Sequence, residues 1–164
     1  MQFVYSECMD RPSSYRLRKG RVSIPGQVYL VTTVTARRER IFSDFRCARL
    51  LIRTLMESDR CCHSGTLAFV VMPDLLHWMF RLGYVENLSA VVREVKSRVA
   101  RSLGRRVWQA GFHDRALRGT DRELRAWARY LITNPLRARL VLRVQDYPHW
   151  HAVWLGVEQD LHLT

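Results

Sequence analysis

The sequence predicts an α+β fold, an antiparallel sheet carrying helices, on three observations. Short β-branched runs alternate with longer segments whose apolar residues recur every three or four positions. Two of the runs, inside "GTLAFVVMPDLLHWMFRLG" (65–83), meet at a Pro-Asp pair that leaves room for a turn but not for a crossover. The segments follow one another as strand, helix, strand, strand, helix, strand, helix.

Residues 1–26 are polar, basic and turn-rich, which predicts an arm rather than a core element. "VYLVTTVTA" (28–36) alternates and is rich in β-branched residues, so it reads as a strand. "DFRCARLLIRTLMESDR" (44–60) has apolar residues at 47, 48, 51, 52, 55 and 56, one face of a helix, with Asp44 as its N-cap. The double strand follows, with Pro73 and Asp74 at its turn. "ENLSAVVREVKSRVARSLG" (86–104) turns Leu88, Val91, Val92, Val95, Val99 and Leu103 inward, and Gly104 ends it. A further strand is expected near 112–118. Thr120 and Glu123 then form a capping box, opening a helix striped by Leu124, Trp127, Ala128 and Leu131. Pro135 stops that helix near Asn134.

The first six elements match a ferredoxin-like split βαβ arrangement, with two helices packed on one face of the sheet. The last helix is an addition at the C-terminal side. The chain divides into a basic arm (1–26), one domain (27–145) and an aromatic C-terminal tail (146–164).

Composition narrows the function. Among 164 residues the formal net charge is +12, and only Lys19 and Lys96 are lysines among 27 basic residues. Arginine's planar fork suits phosphate oxygens and guanine edges, so a polyanion, nucleic acid first, is the expected partner. No run of 18 apolar residues occurs, which argues against a membrane span. No apolar signal segment opens the chain, and a cytoplasmic location is expected. The four cysteines have no CxxC spacing and so give no zinc motif.

Two places carry candidate chemistry. Tyr130 and Asn134 are four apart and project together, away from the Leu124/Trp127/Leu131 stripe. The strand after the Pro-Asp turn places Leu75 and His77 on one face, Leu76 and Trp78 on the other. Neither place identifies a site alone, since a lone strand histidine is usually a core residue.

Taken as a series, "PGQVYLVTTVT", "LAFVVMPDLLHW", "VWQAGFHDRALR", "ARYLITNPLRARLV" and "DYPHW" resemble the REP-associated tyrosine transposases, bacterial members of the single-tyrosine HUH class. The resemblance spans about residues 26–155. It implies that the last helix is catalytic and that the chain cleaves and rejoins single-stranded REP hairpin DNA through a 5′-phosphotyrosine intermediate. It makes Tyr130 the nucleophile, and His77 and Asn134 ligands of Mg2+ or Mn2+. Leu75 stands where the family has the first histidine of its pair, so two ligands remain and weak metal binding with reduced cleavage is expected. The alternative is a catalytically impaired hairpin-binding protein of the same fold.

Two more departures are Arg115, where histidine is expected, and Arg139, where glycine is usual. His113 lies near them without an assigned role, and the "HWH" at 149–151 lies in the tail rather than after the turn. The expected DNA contacts are Arg16, Arg18, Lys19 and Arg21 of the arm; Arg93, Lys96, Arg98 and Arg101 of the second helix; and Arg118, Arg122 and Arg137 near the site. Trp108 and Phe112 are the expected stacking platforms. A monomer is expected.

Overall fold

Each predicted element forms, and each starts where a capping or turn residue makes it start. The computed structural model describes residues 23–154; the arm residues Arg16, Arg18, Lys19 and Arg21 lie outside the described residues. Val28–Val34 is β1. Helix α1, Phe45–Arg60, begins at Asp44, whose carboxylate accepts the Cys47 backbone N–H at 2.9 Å. Strands β2 (Ser64–Met72) and β3 (Leu75–Leu82) turn about Pro73 and Asp74. Helix α2, Leu88–Ser102, is capped by Asn87. Strand β4 is His113–Leu117. Helix α3, Asp121–Ile132, opens with the Thr120/Glu123 capping box, both halves of which are made. The chain then bends into a single-turn helix, α4, Asn134–Arg137, with Pro135 at its start, where a missing N–H costs nothing.

The aromatic segment after 146 does not stay outside the sheet. Trp150–Ala152 is a fifth strand, β5, paired with β2. Tyr147 Oη donates to the Val71 carbonyl at 2.7 Å, and Trp150 Nε1 donates to the Val144 carbonyl at 3.0 Å. All pairings are antiparallel, in the order β4-β1-β3-β2-β5. The first four are the ferredoxin-like order, and β5 extends it at the β2 edge.

Two cores lie on opposite faces of this sheet. Helices α1 and α2 cover Tyr29, Val31, Phe69, Leu76, Trp78 and Phe80. Helix α3 covers Val28, Ala68, Val70, Met79 and Ala152 with Leu124, Ala128, Leu131 and Ile132. The added helix shares its face with the chain that follows it, through Leu136, Leu140, Val141, Val144 and Tyr147.

One buried polar network ties α1 to the sheet. Asp59 accepts from Ser64 Oγ at 2.6 Å, from Thr66 Oγ1 at 3.0 Å and from the Thr66 N–H at 3.2 Å. Trp78 Nε1 donates to the same Thr66 hydroxyl at 2.9 Å. Burial outweighs these bonds and pushes the Asp59 carboxyl up to about 6. The folded state holds this proton more tightly than the unfolded chain, so the stabilisation is complete in acid and is lost as pH rises through about 6. Between about pH 4 and pH 7.5 the chain should lose about 2 kcal/mol more stability than an Asp59→Asn variant, which cannot titrate. Urea unfolding at a series of pH values checks this; parallel curves would show that Asp59 is charged throughout.

Candidate functional site

Register places the candidate residues in one row across the sheet. His113, Thr32, His77, Val70 and Trp150 are successive cross-strand partners on β4, β1, β3, β2 and β5. Alternation along β3 turns Leu75 and His77 toward the α3 face and Leu76 and Trp78 toward α1 and α2. The two-face reading of this strand holds. Thr32 Oγ1 and His77 Nδ1 are 2.8 Å apart, a bond that fixes the ring and leaves Nε2 as its other polar atom. Burial first, and the nearby Arg137 charge second, push the His77 imidazole down to about 4, so it is neutral at physiological pH.

The helical half of the site is built at the α3–α4 bend. Helix α3 buries Leu124, Ala128, Leu131 and Ile132 and turns Tyr130 outward, 57% exposed. Its ring meets Trp127 edge-on at 6.0 Å. The bend at Thr133 returns α4 toward α3 and lays the Arg137 guanidinium over the Tyr130 ring, 3.9 Å from its centroid. Arg137 also donates to the Tyr130 carbonyl at 3.0 Å, to Thr133 Oγ1 at 2.9 Å and to Asn134 Oδ1 at 2.8 Å. The Asn134 amide donates to the Leu131 carbonyl at 2.7 Å. Arg137 thus joins Tyr130, Asn134 and, through its field, His77.

The residues present do not fit the divalent ion that the sequence resemblance implies. Leu75 has no lone pair to give. Asn134 has its amide and its oxygen committed, the oxygen to a guanidinium, a cation where the ion's own charge would be needed. Asp74 pairs with Arg38 at 3.2 Å. Among the described residues no group of three His, Cys, Asp or Glu side chains could hold a metal ion. His77 is the one well-placed donor left.

The other departures have clear surroundings. The Arg115 guanidinium lies 4.7 Å from the Trp127 ring centroid, a cation–π contact where a histidine was expected. Arg139 has φ of 55°, the left-handed region, which is why glycine suits this position and why arginine here is strained. The rings of His149 and His151 meet those of Phe45 and Phe69 at a tilt, on the α1 side of the sheet, while Trp150 between them packs on the α3 face.

The expected DNA contacts divide. Arg118 and Arg122 are exposed, on the approach to α3 and in its first turn. Helix α2 packs on the opposite face, and its basic residues go with it. Lys96 Nζ donates to the Gln109 and Gly111 carbonyls, a bracing role for the loop before β4. Arg98 pairs with Glu94 at 2.8 Å. Trp108 is corrected outright: it is 6% exposed, packs against Phe42 at 5.3 Å and donates Nε1 to the Lys96 carbonyl, so no base can stack on it. Phe112 is half-buried against the same core.

No protein-family model and no curated protein matches the chain. Among solved structures it is similar to a REP-associated tyrosine transposase bound to a REP hairpin, with 25% identity and a TM-score of 0.68 over 84% of this chain and 81% of that one. A provisionally assigned transposase of Deinococcus radiodurans R1 overlaps more loosely, at 19% identity and a TM-score of 0.49 over 70% of this chain and 95% of that one. The chain therefore resembles the REP-associated tyrosine transposases in its fold as well as in its sequence motifs.

Proposed function

We propose that this chain binds REP-type hairpin DNA and that Tyr130 is the nucleophile of a strand-cleavage and rejoining reaction. The observation that carries the reading is an exposed tyrosine, held beneath an arginine, on a fold shared with a transposase solved on its hairpin. Tyr130 Oη forms a bond to a backbone phosphorus, the P–O3′ bond breaks, and the departing oxygen takes up a proton as a 3′-hydroxyl. The phenol proton passes to solvent, which reaches the exposed ring. The phosphotyrosine keeps the energy of the broken linkage, so attack by a 3′-hydroxyl reseals the strand without a nucleotide cofactor.

A second reading is favoured by Leu75, which removes a donor from the site. In that reading hairpin binding persists while turnover is largely lost. Both readings require recognition of the hairpin, and Arg118, Arg122 and Arg137 supply phosphate contacts. Among the described residues no helix is long and apolar enough to cross a membrane.

Gel-shift titration of a labelled REP-type hairpin against a scrambled strand of equal length tests the recognition step. We expect the hairpin to bind at least about tenfold more tightly, with affinity falling steeply as salt rises because phosphate contacts release counterions. Equal affinity for both strands would overturn the reading.

A further inference from the structure

The Asn134–Arg137 turn builds an anion site rather than a cation site. The Arg137 guanidinium makes three hydrogen bonds, all to neutral acceptors: the Tyr130 carbonyl, Thr133 Oγ1 and Asn134 Oδ1. Among the described residues no carboxylate pairs with it. A guanidinium carries five N–H donors, so the Nε–H and one Nη1–H remain for a ligand, on a planar cation already fixed against the Tyr130 ring. The desolvation and side-chain ordering that a flexible arginine costs on binding are in large part met beforehand. A cation positioned in this way, with full charge and spare donors beside a nucleophile, matches the shape and charge of a phosphodiester.

We infer that Arg137 clamps one backbone phosphate of the bound strand beside Tyr130, and that the clamp needs no metal. The inference rests on the hairpin reading above and deepens it by naming how the reacting phosphate is held. Asn134 Oδ1 orients the arginine instead of coordinating an ion.

The test is a double-mutant cycle between protein and DNA, read as binding and not as cleavage. Hairpin strands carrying a single neutral methylphosphonate are walked through the unpaired foot and titrated against the full chain and against Arg137→Gln, Arg137→Lys and Arg139→Gln. At one position the methylphosphonate should cost the unaltered chain about tenfold in affinity. Arg137→Gln should bind the natural strand with that same loss and show no further penalty at that position. Arg137→Lys should fall between, keeping the charge without the planar guanidinium. Arg139→Gln, which removes a neighbouring charge, should weaken all strands alike. Affinity of the unaltered chain should be the same in EDTA as in Mn2+. Additive penalties at every position, or binding abolished by EDTA, would overturn the clamp while leaving hairpin recognition intact. Failure of the unaltered chain to bind any hairpin would remove the hairpin reading and the clamp together. Thermal melting of each variant shows whether it has kept its fold.

Discussion

Tyr130→Phe should abolish the covalent DNA–protein adduct while leaving hairpin affinity within about twofold. The substitution removes one oxygen and nothing else that the structure uses. The phenyl ring keeps its edge contact with Trp127 and its face under Arg137, and the residue 130 carbonyl, which accepts from both Thr133 and Arg137 in the turn, is untouched. At 57% exposure the hydroxyl supports no core packing. Losing the nucleophile should lower adduct formation at least about a thousandfold, because no other hydroxyl shares its place on the outer face of α3. The readout is a labelled band that survives denaturing electrophoresis. A band of equal intensity from Tyr130→Phe would mean that another side chain attacks. If the unaltered chain gives no band and binds normally, the impaired-binder reading is the correct one of the two.

Leu75→His should give the chain a metal response that it lacks. Position 75 points to the same face as His77, two residues along β3, so an imidazole there stands beside the one already fixed by Thr32. Two neutral imidazoles are a better invitation to Mn2+ than one, and the ion can then compete with Arg137 for the Asn134 oxygen. An ion beside the phosphate contributes several kcal/mol of charge stabilisation, so adduct formation should become Mn2+-dependent and rise about a hundredfold over the unaltered chain. Loss of the free Mn2+ signal in electron paramagnetic resonance checks binding independently of cleavage. Leu75 is only half-buried against the second core, so the cost in stability should be about 1 kcal/mol. If Leu75→His neither binds Mn2+ nor responds to it, positions 75, 77 and 134 do not form a metal site even when restored.

The fold was legible where local signals agree. Asp44, Asn87 and the Thr120/Glu123 pair fix helix starts through bonds made within three residues, and the Pro73-Asp74 turn fixes the β2–β3 register. What could not be read is what long-range contact decides. Strand β5 has three residues and no alternation of its own; it exists because β2 offers unpaired backbone groups and Tyr147 reaches Val71 across 76 positions of chain. Trp108 looks like a free aromatic in a basic loop, and only its approach to Phe42, far away in sequence, buries it. In the site, Tyr130 and Asn134 are legible as an i, i+4 pair. The return of Arg137 onto Tyr130 is not, because it depends on the angle at which the chain leaves Thr133. The spacing of Asn134 and Arg137 around Pro135 is the signal that would have found it.

The strand added at the end of the chain also changes how two copies can meet. Without β5, the nine-residue β2 would be an outer strand, offering a long row of unsatisfied amides to any neighbour. With it, among the described residues the outermost strands are the three residues of β5 and the five of β4, both short templates for an extended ladder. Backbone pairing from sheet to sheet, a common route to unwanted assembly in antiparallel proteins, thus finds only short outer strands among the described residues.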